Sequence, residues 1–95
     1  MPYVYILECA DGSYYTGSTF NLEKRLWEHG NGLGANHTRS RLPVRLVFCE
    51  AFERVEEAFQ REKQIQGWGR PKKQALIAGA WEQLPALART ARGRV

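Results

Sequence analysis

The sequence predicts a small α+β sandwich, of the broad α/β class, with the element order β-β-α-β-α-α around a mostly antiparallel sheet. Three observations predict it. The chain has 95 residues, room for one core and not two. An apolar, β-branched and aromatic run, Tyr3 to Cys9, meets a turn signal and a second extended run. Beyond the middle of the chain, apolar residues recur at helical rather than strand spacing. With 43% hydrophobic, 25% charged and 12% aromatic residues, disordered, collagen-like and disulfide-dense classes are excluded. No apolar run approaches the ~18 residues of a membrane-spanning helix.

Tyr3 to Cys9 reads as a buried strand, and Asp11-Gly12 as a two-residue turn between Ala10 and Ser13. Ser13 to Ser18 returns as its hairpin partner. Thr19 or Asn21 caps the helix that follows, Glu23 supports its first turn, and Gly30 stops it after His29. Residues Gly30 to Arg41 have three glycines and no apolar period, so they read as a loop, of a length more often functional than ornamental. Pro43 to Phe52 is a third strand, with proline at its start where the missing donor costs least. Glu53 to Gly67 reads as a helix, and Pro71 opens another that runs to about Ala80. Residues 1–80 then form the domain. Residues 81–95 form a basic extension in which Trp81, Leu84 and Leu87 support a last amphipathic turn before a frayed end.

Cys9 and Cys49 both lie in apolar runs and read as buried free thiols; without a CxxC spacing they make no zinc site. The N-terminus shows no basic segment followed by an apolar run, which favours a cytoplasmic location. The formal net charge of +4 is unevenly spread. Residues 70–95 carry six basic side chains, including Arg70, Lys72 and Lys73, against Glu82 alone. Arg39, Arg41 and Arg45 form a second basic group. Localised positive charge is the footprint of a polyanion partner.

Chemistry is expected where polar residues interrupt apolar patterns. In the first helix, Leu22 and Leu26 continue to His29, and Arg25 and His29 at i and i+4 share a face. A solvated helix flank gives the same spacing. In the later helix, Val55, Ala58, Phe59 and Ile65 form the apolar stripe, and Glu62 completes it. A carboxylate on an inward face costs several kcal/mol unless it is paired or binds a cation. Glu62 is therefore a buried ion pair, a metal ligand or a general acid/base. In the hairpin, Tyr5 and Tyr15 share one face, as structural cross-strand pairs also do, and Gly17 leaves open space beside them. Two tyrosines, an Arg–His pair, an inward Glu and basic loops suit phosphodiester hydrolysis. Mg²⁺ needs only one or two protein carboxylates, and a guanidinium can hold the scissile phosphate with two donors.

These residues resemble a known family. Tyr3-Val4-Tyr5 and Tyr15-Thr16-Gly17, with nine residues between Tyr5 and Tyr15, look like the GIY-YIG nuclease signature. The resemblance continues through Asn21-Leu22-Glu23-Lys24-Arg25-Leu26 and Ala58-Phe59-Gln60-Arg61-Glu62-Lys63-Gln64-Ile65. It reaches Gly67-Trp68-Gly69-Arg70-Pro71-Lys72-Lys73, which is similar to the small, single-domain bacterial branch. It implies a three-stranded antiparallel sheet flanked by helices and metal-dependent, weakly sequence-specific cleavage of DNA, linked to repair or recombination. It further implies that Tyr5 and Tyr15 frame the attacking water and Arg25 grips the phosphate. Glu62 would hold Mg²⁺ or Mn²⁺, and His29 would polarise a tyrosine or the water. Gly17, Arg39, Arg41, Arg45, Arg70, Lys72 and Lys73 are the expected nucleic-acid contacts. Tyr3 and Thr16 stand where the family's name has Gly and Ile. The asparagine that many members carry after the glutamate is absent, since none follows Asn36. Two other readings compete: a nucleic-acid-binding module without catalysis, and an interaction protein whose basic tail meets an acidic partner.

Overall fold

The computed structural model describes residues 1–80. Strands β1 (Tyr3–Glu8), β2 (Tyr14–Thr19) and β3 (Arg45–Ala51) form one antiparallel sheet in the order β2-β1-β3. Helices α1 (Leu22–Gly30) and α2 (Asn36–Arg39) lie between β2 and β3, and α3 (Val55–Gln66) and α4 (Arg70–Ala75) follow. A further helical turn, Leu76–Ala80, ends the described chain, with Gly79 in the left-handed region at φ 78°. The expected extension at 81–95 lies outside the described residues.

β1 is central and covered on both sides, which explains its nearly unbroken apolar run. Val4 and Ile6 face one side and pack with Ala58, Ile65 and Leu76 into the core. Tyr5 and Leu7 face the other side and are equally buried. A bulge in β3 opposite Ile6 and Leu7 lets the adjacent residues Val47 and Phe48 both pack on the core cluster, where strict alternation would send one of them away.

The hairpin closes differently from the two-residue expectation. Gly12 N–H donates to the Cys9 carbonyl and Cys9 N–H to the Ser13 carbonyl, so Ala10-Asp11-Gly12 is a three-residue loop with Gly12 at φ 85°. Asp11 also accepts from the Ser13 backbone and hydroxyl, and it pairs with Arg41 at 3.0 Å. Those donors pull its carboxyl down to about 2. Asn21 is the N-cap of α1, accepting from Lys24 N–H at 3.0 Å.

Three further expectations need correction. The segment read as structureless, Gly30 to Arg41, contains the one-turn helix α2, so the order gains an element. Its signal is polar because α2 buries a hydroxyl, Thr38, rather than an apolar stripe. Cys9 is buried but Cys49 is exposed: Cys49 sits opposite Tyr5 on the edge strand β3. On α3, Val55 and Phe59 are exposed, at 45% and 52%, and the inward stripe is Ala58, Glu62 and Ile65.

Thr16 lies in β2 with its hydroxyl buried and without a hydrogen-bond partner among the described residues. An orphaned buried hydroxyl costs about 1–3 kcal/mol, and an isosteric methyl removes that cost. Thr16→Val is expected to raise the free energy of unfolding by about 1 kcal/mol, measured by urea denaturation; a loss of stability would show that the hydroxyl is satisfied in solution.

Candidate active site

The second face of β1 carries the site. Tyr5 stands opposite Gly17, and Tyr15 opposite Leu7, so the two tyrosines are diagonal neighbours. Their ring centroids are 6.4 Å apart. Gly17 is required there: a Cβ would stand 2.6 Å from the Tyr5 hydroxyl and 3.2 Å from the Tyr15 ring.

α1 crosses this face and delivers His29, which is fully buried. Its Nε2 lies 2.9 Å from Tyr5 Oη, and its Nδ1 lies 2.8 Å from Thr38 Oγ1 on α2. The imidazole meets Tyr5 edge-on, at 5.7 Å between centroids, and lies 5.3 Å from the Tyr15 ring. Burial drives the His29 pKa below its ordinary value, and the neighbouring Arg25 guanidinium pushes in the same direction. Burial likewise pushes the Tyr5 phenol up to about 12, against the pull of Arg25. Arg25, one helical turn before His29, is half-buried and bonds Glu28 at 2.9 Å through Nη1 alone. Its other donors face no carboxylate among the described residues.

Glu62 approaches from the opposite side of the sheet. Ser18 Oγ donates to its Oε1 at 2.6 Å and Gln66 Nε2 to its Oε2 at 2.9 Å. Ser18 pairs with Val4 and therefore belongs to the α3 side of β2. No cationic side chain among the described residues lies within ion-pair distance of Glu62, so the ion-pair reading finds no partner. Its negative charge nevertheless contributes to raising Tyr5. The site thus wraps the edge strand β2, with tyrosines, His29 and Arg25 on one face and Glu62 on the other. One carboxylate held by neutral donors fits a hydrated divalent ion such as Mg²⁺; among the described residues no cluster of three or more His, Cys, Asp or Glu could cage a metal.

The expected nucleic-acid contacts are more scattered. Gly17 is inside the site. Arg41 is tied to Asp11 and Arg45 to Glu8, at 3.0 and 2.6 Å. Arg39 is exposed and bonds Asn36. Arg70 lies 4.5 Å over the Tyr14 ring and Lys72 4.6 Å over Trp68, while Lys73 is half-buried on α4. Sequence reasoning missed Ser18, Gln66, His37, Thr38 and Gly34. His37 stacks on Tyr15 at 6.2 Å, and its Nε2 lies 2.9 Å from Ser13 Oγ. Gly34 packs on the His29 ring, where a Cβ would overlap Nδ1. For Gly34, His37 and Thr38 the one signal was the glycine density of the 30–41 loop; Ser18 and Gln66 had none.

A sheet with this order, two diagonal tyrosines beside a glycine, an Arg–His helix on one face and a lone inward Glu on the other match a GIY-YIG domain. The family model of the GIY-YIG catalytic domain matches residues 1–75, and the chain belongs to that family of nuclease domains. Within it, the chain is similar to UPF0213 proteins of bacteria and archaea. It is 54% identical over 78 residues to one from Clostridium perfringens, covering 82% of this chain and 84% of that one. It is 50% identical over 76 residues to one from Natronomonas pharaonis, covering 80% and 89%. The solution NMR structure of a UPF0213 protein from Bacillus halodurans superposes with a TM-score of 0.55 at 41% identity, over 96% of this chain and all of that one. Among the described residues, no helix is long and apolar enough to cross a membrane.

The depressed His29 pKa fixes a sign. The unfolded chain binds that proton first, so His29's contribution to stability is complete above about pH 6.5 and is lost as pH falls below it. Urea unfolding at about pH 7.5 and about pH 5.5 should show lower stability at the acid value. The difference should shrink in His29→Gln. An unchanged difference in that variant would place the acid sensitivity elsewhere.

Proposed function

We propose that this protein is a metal-dependent endonuclease that hydrolyses DNA phosphodiester bonds with weak sequence specificity, suited to repair or recombination. The observation that carries this reading is Glu62, a half-buried carboxylate held, among the described residues, by neutral donors and set across β2 from a buried tyrosine–histidine pair. β2 is an edge strand, so a phosphate lying along its free side reaches both faces.

Arg25 would hold the scissile phosphate. Its guanidinium offers more donors than the Glu28 contact uses, and two of them can meet two phosphate oxygens. Charge that builds on those oxygens is then met by a fixed cation in a partly desolvated place. Tyr5 and Tyr15 frame the attacking water. With its phenol at about 12, Tyr5 is ionised in roughly one molecule in 10⁵ at neutral pH, so it cannot serve as a standing phenolate. It can accept the water's proton only as it passes its own to His29, whose Nε2 is in hydrogen-bond reach. The pair acts as one base. Glu62 would hold Mg²⁺ or Mn²⁺, oriented by Ser18 and Gln66. When bound, such an ion would supply positive charge to offset the charge that develops on the phosphate. Backbone phosphates carry no sequence information, so a site built to grip a phosphate supports weak sequence preference.

Glu62→Gln keeps the shape and removes the charge; its one oxygen can still accept from Gln66, while its new N–H faces Ser18, whose hydroxyl can accept in place of donating. Cleavage of end-labelled duplex, single-stranded and branched DNA with Mg²⁺ or Mn²⁺ should fall by at least about 10²-fold, with DNA binding retained. Cutting that persists in chelator or in the Gln variant would overturn the reading. DNA binding with no cutting by wild type would favour a binding module.

Arg25→Lys should lose about 10²-fold in cleavage rate at saturating DNA, because a point charge does not replace a two-donor fork. A wild-type rate in the lysine variant would take Arg25 off the phosphate.

A further inference from the structure

We infer that Thr38 is a positioning residue for this chemistry: it locks His29 in the one tautomer whose Nε2 can receive the proton of Tyr5. The inference rests on the hydrolytic reading above, but its geometry stands on its own. Thr38 has a single hydroxyl hydrogen, and its Oγ1 lies 3.0 Å from the Ala35 carbonyl, a group that can only accept. That hydrogen could go to Ala35 or to Nδ1; the Thr38–Ala35 hydrogen bond, made beside the one the same carbonyl accepts from Arg39 N–H, places it on Ala35. What Oγ1 offers to His29 Nδ1, 2.8 Å away, is a lone pair, so Nδ1 carries the imidazole hydrogen. A buried, neutral imidazole has one N–H. Its Nε2 is then a bare acceptor, and the 2.9 Å contact with Tyr5 runs from the phenol to the ring.

The alternative tautomer reverses everything downstream. Nε2–H would donate to the Tyr5 oxygen, and the phenol would face an imidazole unable to take its proton. Reaching that state requires the Thr38 hydroxyl to leave Ala35 and turn to Nδ1. The surroundings resist a ring flip as well. Gly34 lies so close that a Cβ there would stand 2.7 Å from Cε1 and 2.8 Å from Cγ of His29, and would overlap Nδ1. Residues 34–38 thus form a clamp on the histidine: Gly34 packs on the ring, Ala35 orients the hydroxyl, and Thr38 reads the nitrogen. The segment is itself fixed to the hairpin. Arg41 Nε bonds Asp11, Arg41 Nη1 bonds the His37 carbonyl, and Ala10 N–H donates to the Arg41 carbonyl. Thr38 touches neither phosphate nor water in this scheme and acts only through His29.

The test compares wild type, Thr38→Val and Thr38→Ser. Imidazole ¹⁵N spectra of the DNA-free proteins report which nitrogen of His29 is protonated. Single-turnover cleavage of a DNA duplex with Mg²⁺ is followed across pH in parallel. Wild-type His29 should be the Nδ1–H form. Valine keeps the volume but gives Nδ1–H no acceptor, so Nε2–H should appear, with cleavage reduced at least about tenfold, an altered pH profile and unchanged DNA affinity. Serine, which keeps the hydroxyl, should restore both the tautomer and the rate. An Nε2–H tautomer in wild type overturns the proposal, whether or not the valine variant folds. So does a valine variant with the wild-type tautomer and pH profile. Should wild type cut no DNA, the hydrolytic reading fails, and the spectra still decide whether Thr38 holds the ring.

Discussion

Burial of β1 on both of its faces is the constraint on which the rest of the structure depends. One face, Val4 and Ile6, is used for cohesion with Ala58, Ile65 and Leu76. The other, Tyr5 and Leu7, is buried just as fully, yet it carries a phenol whose oxygen needs a partner. That need is met by His29, whose second nitrogen needs a partner in turn, and Thr38 supplies it. A strand that had one face in water would leave all three groups to the solvent, with no defined tautomer and no displaced pKa values. Packing and site chemistry are here the two sides of one strand.

The edge strand β2 adds the second condition. Because, among the described residues, it has a strand neighbour on one side only, its outer edge can meet a ligand, and its two faces are a strand's thickness apart. Gly17 removes the side chain that would otherwise stand between the tyrosines, and Ser18, the next residue, points to the far side and steadies Glu62. Alternation of side chains along a strand thus places the carboxylate and the tyrosines on opposite faces yet at one edge. The buried, unpartnered hydroxyl of Thr16 next to them marks where this arrangement carries a cost in stability.

Several parts of the site were legible in the amino-acid sequence because they break a pattern that burial imposes. Glu62 interrupts an apolar stripe, and the structure indeed turns it inward between Ala58 and Ile65. His29 falls where an apolar residue is expected one turn after Leu26, and it is buried. Tyr5 and Tyr15 share a face by strand parity, and their rings are neighbours. The same reasoning erred where an apolar residue had no partner to meet. Among the described residues no element covers Phe59, which lies beside the inward stripe, and Cys49, on an edge strand, is exposed. Periodicity reports which residues could be buried; it does not report what arrives to cover them.

The sequence by itself determined the strands, the helices, their order but for one turn, and the identity of the residues with a chemical cost. These follow from local periodicity, capping and turn chemistry, which act over a few residues at a time. Only the tertiary structure decided how those residues meet. It sets Glu62 across β2 from Tyr5, ties Arg41 and Arg45 to Asp11 and Glu8, and folds residues 34–38 onto His29. The physical reason is that a hydrogen bond between residues far apart in the chain leaves no local trace. Thr38 has no periodic neighbours to betray it, and its importance arises only from the nitrogen it faces.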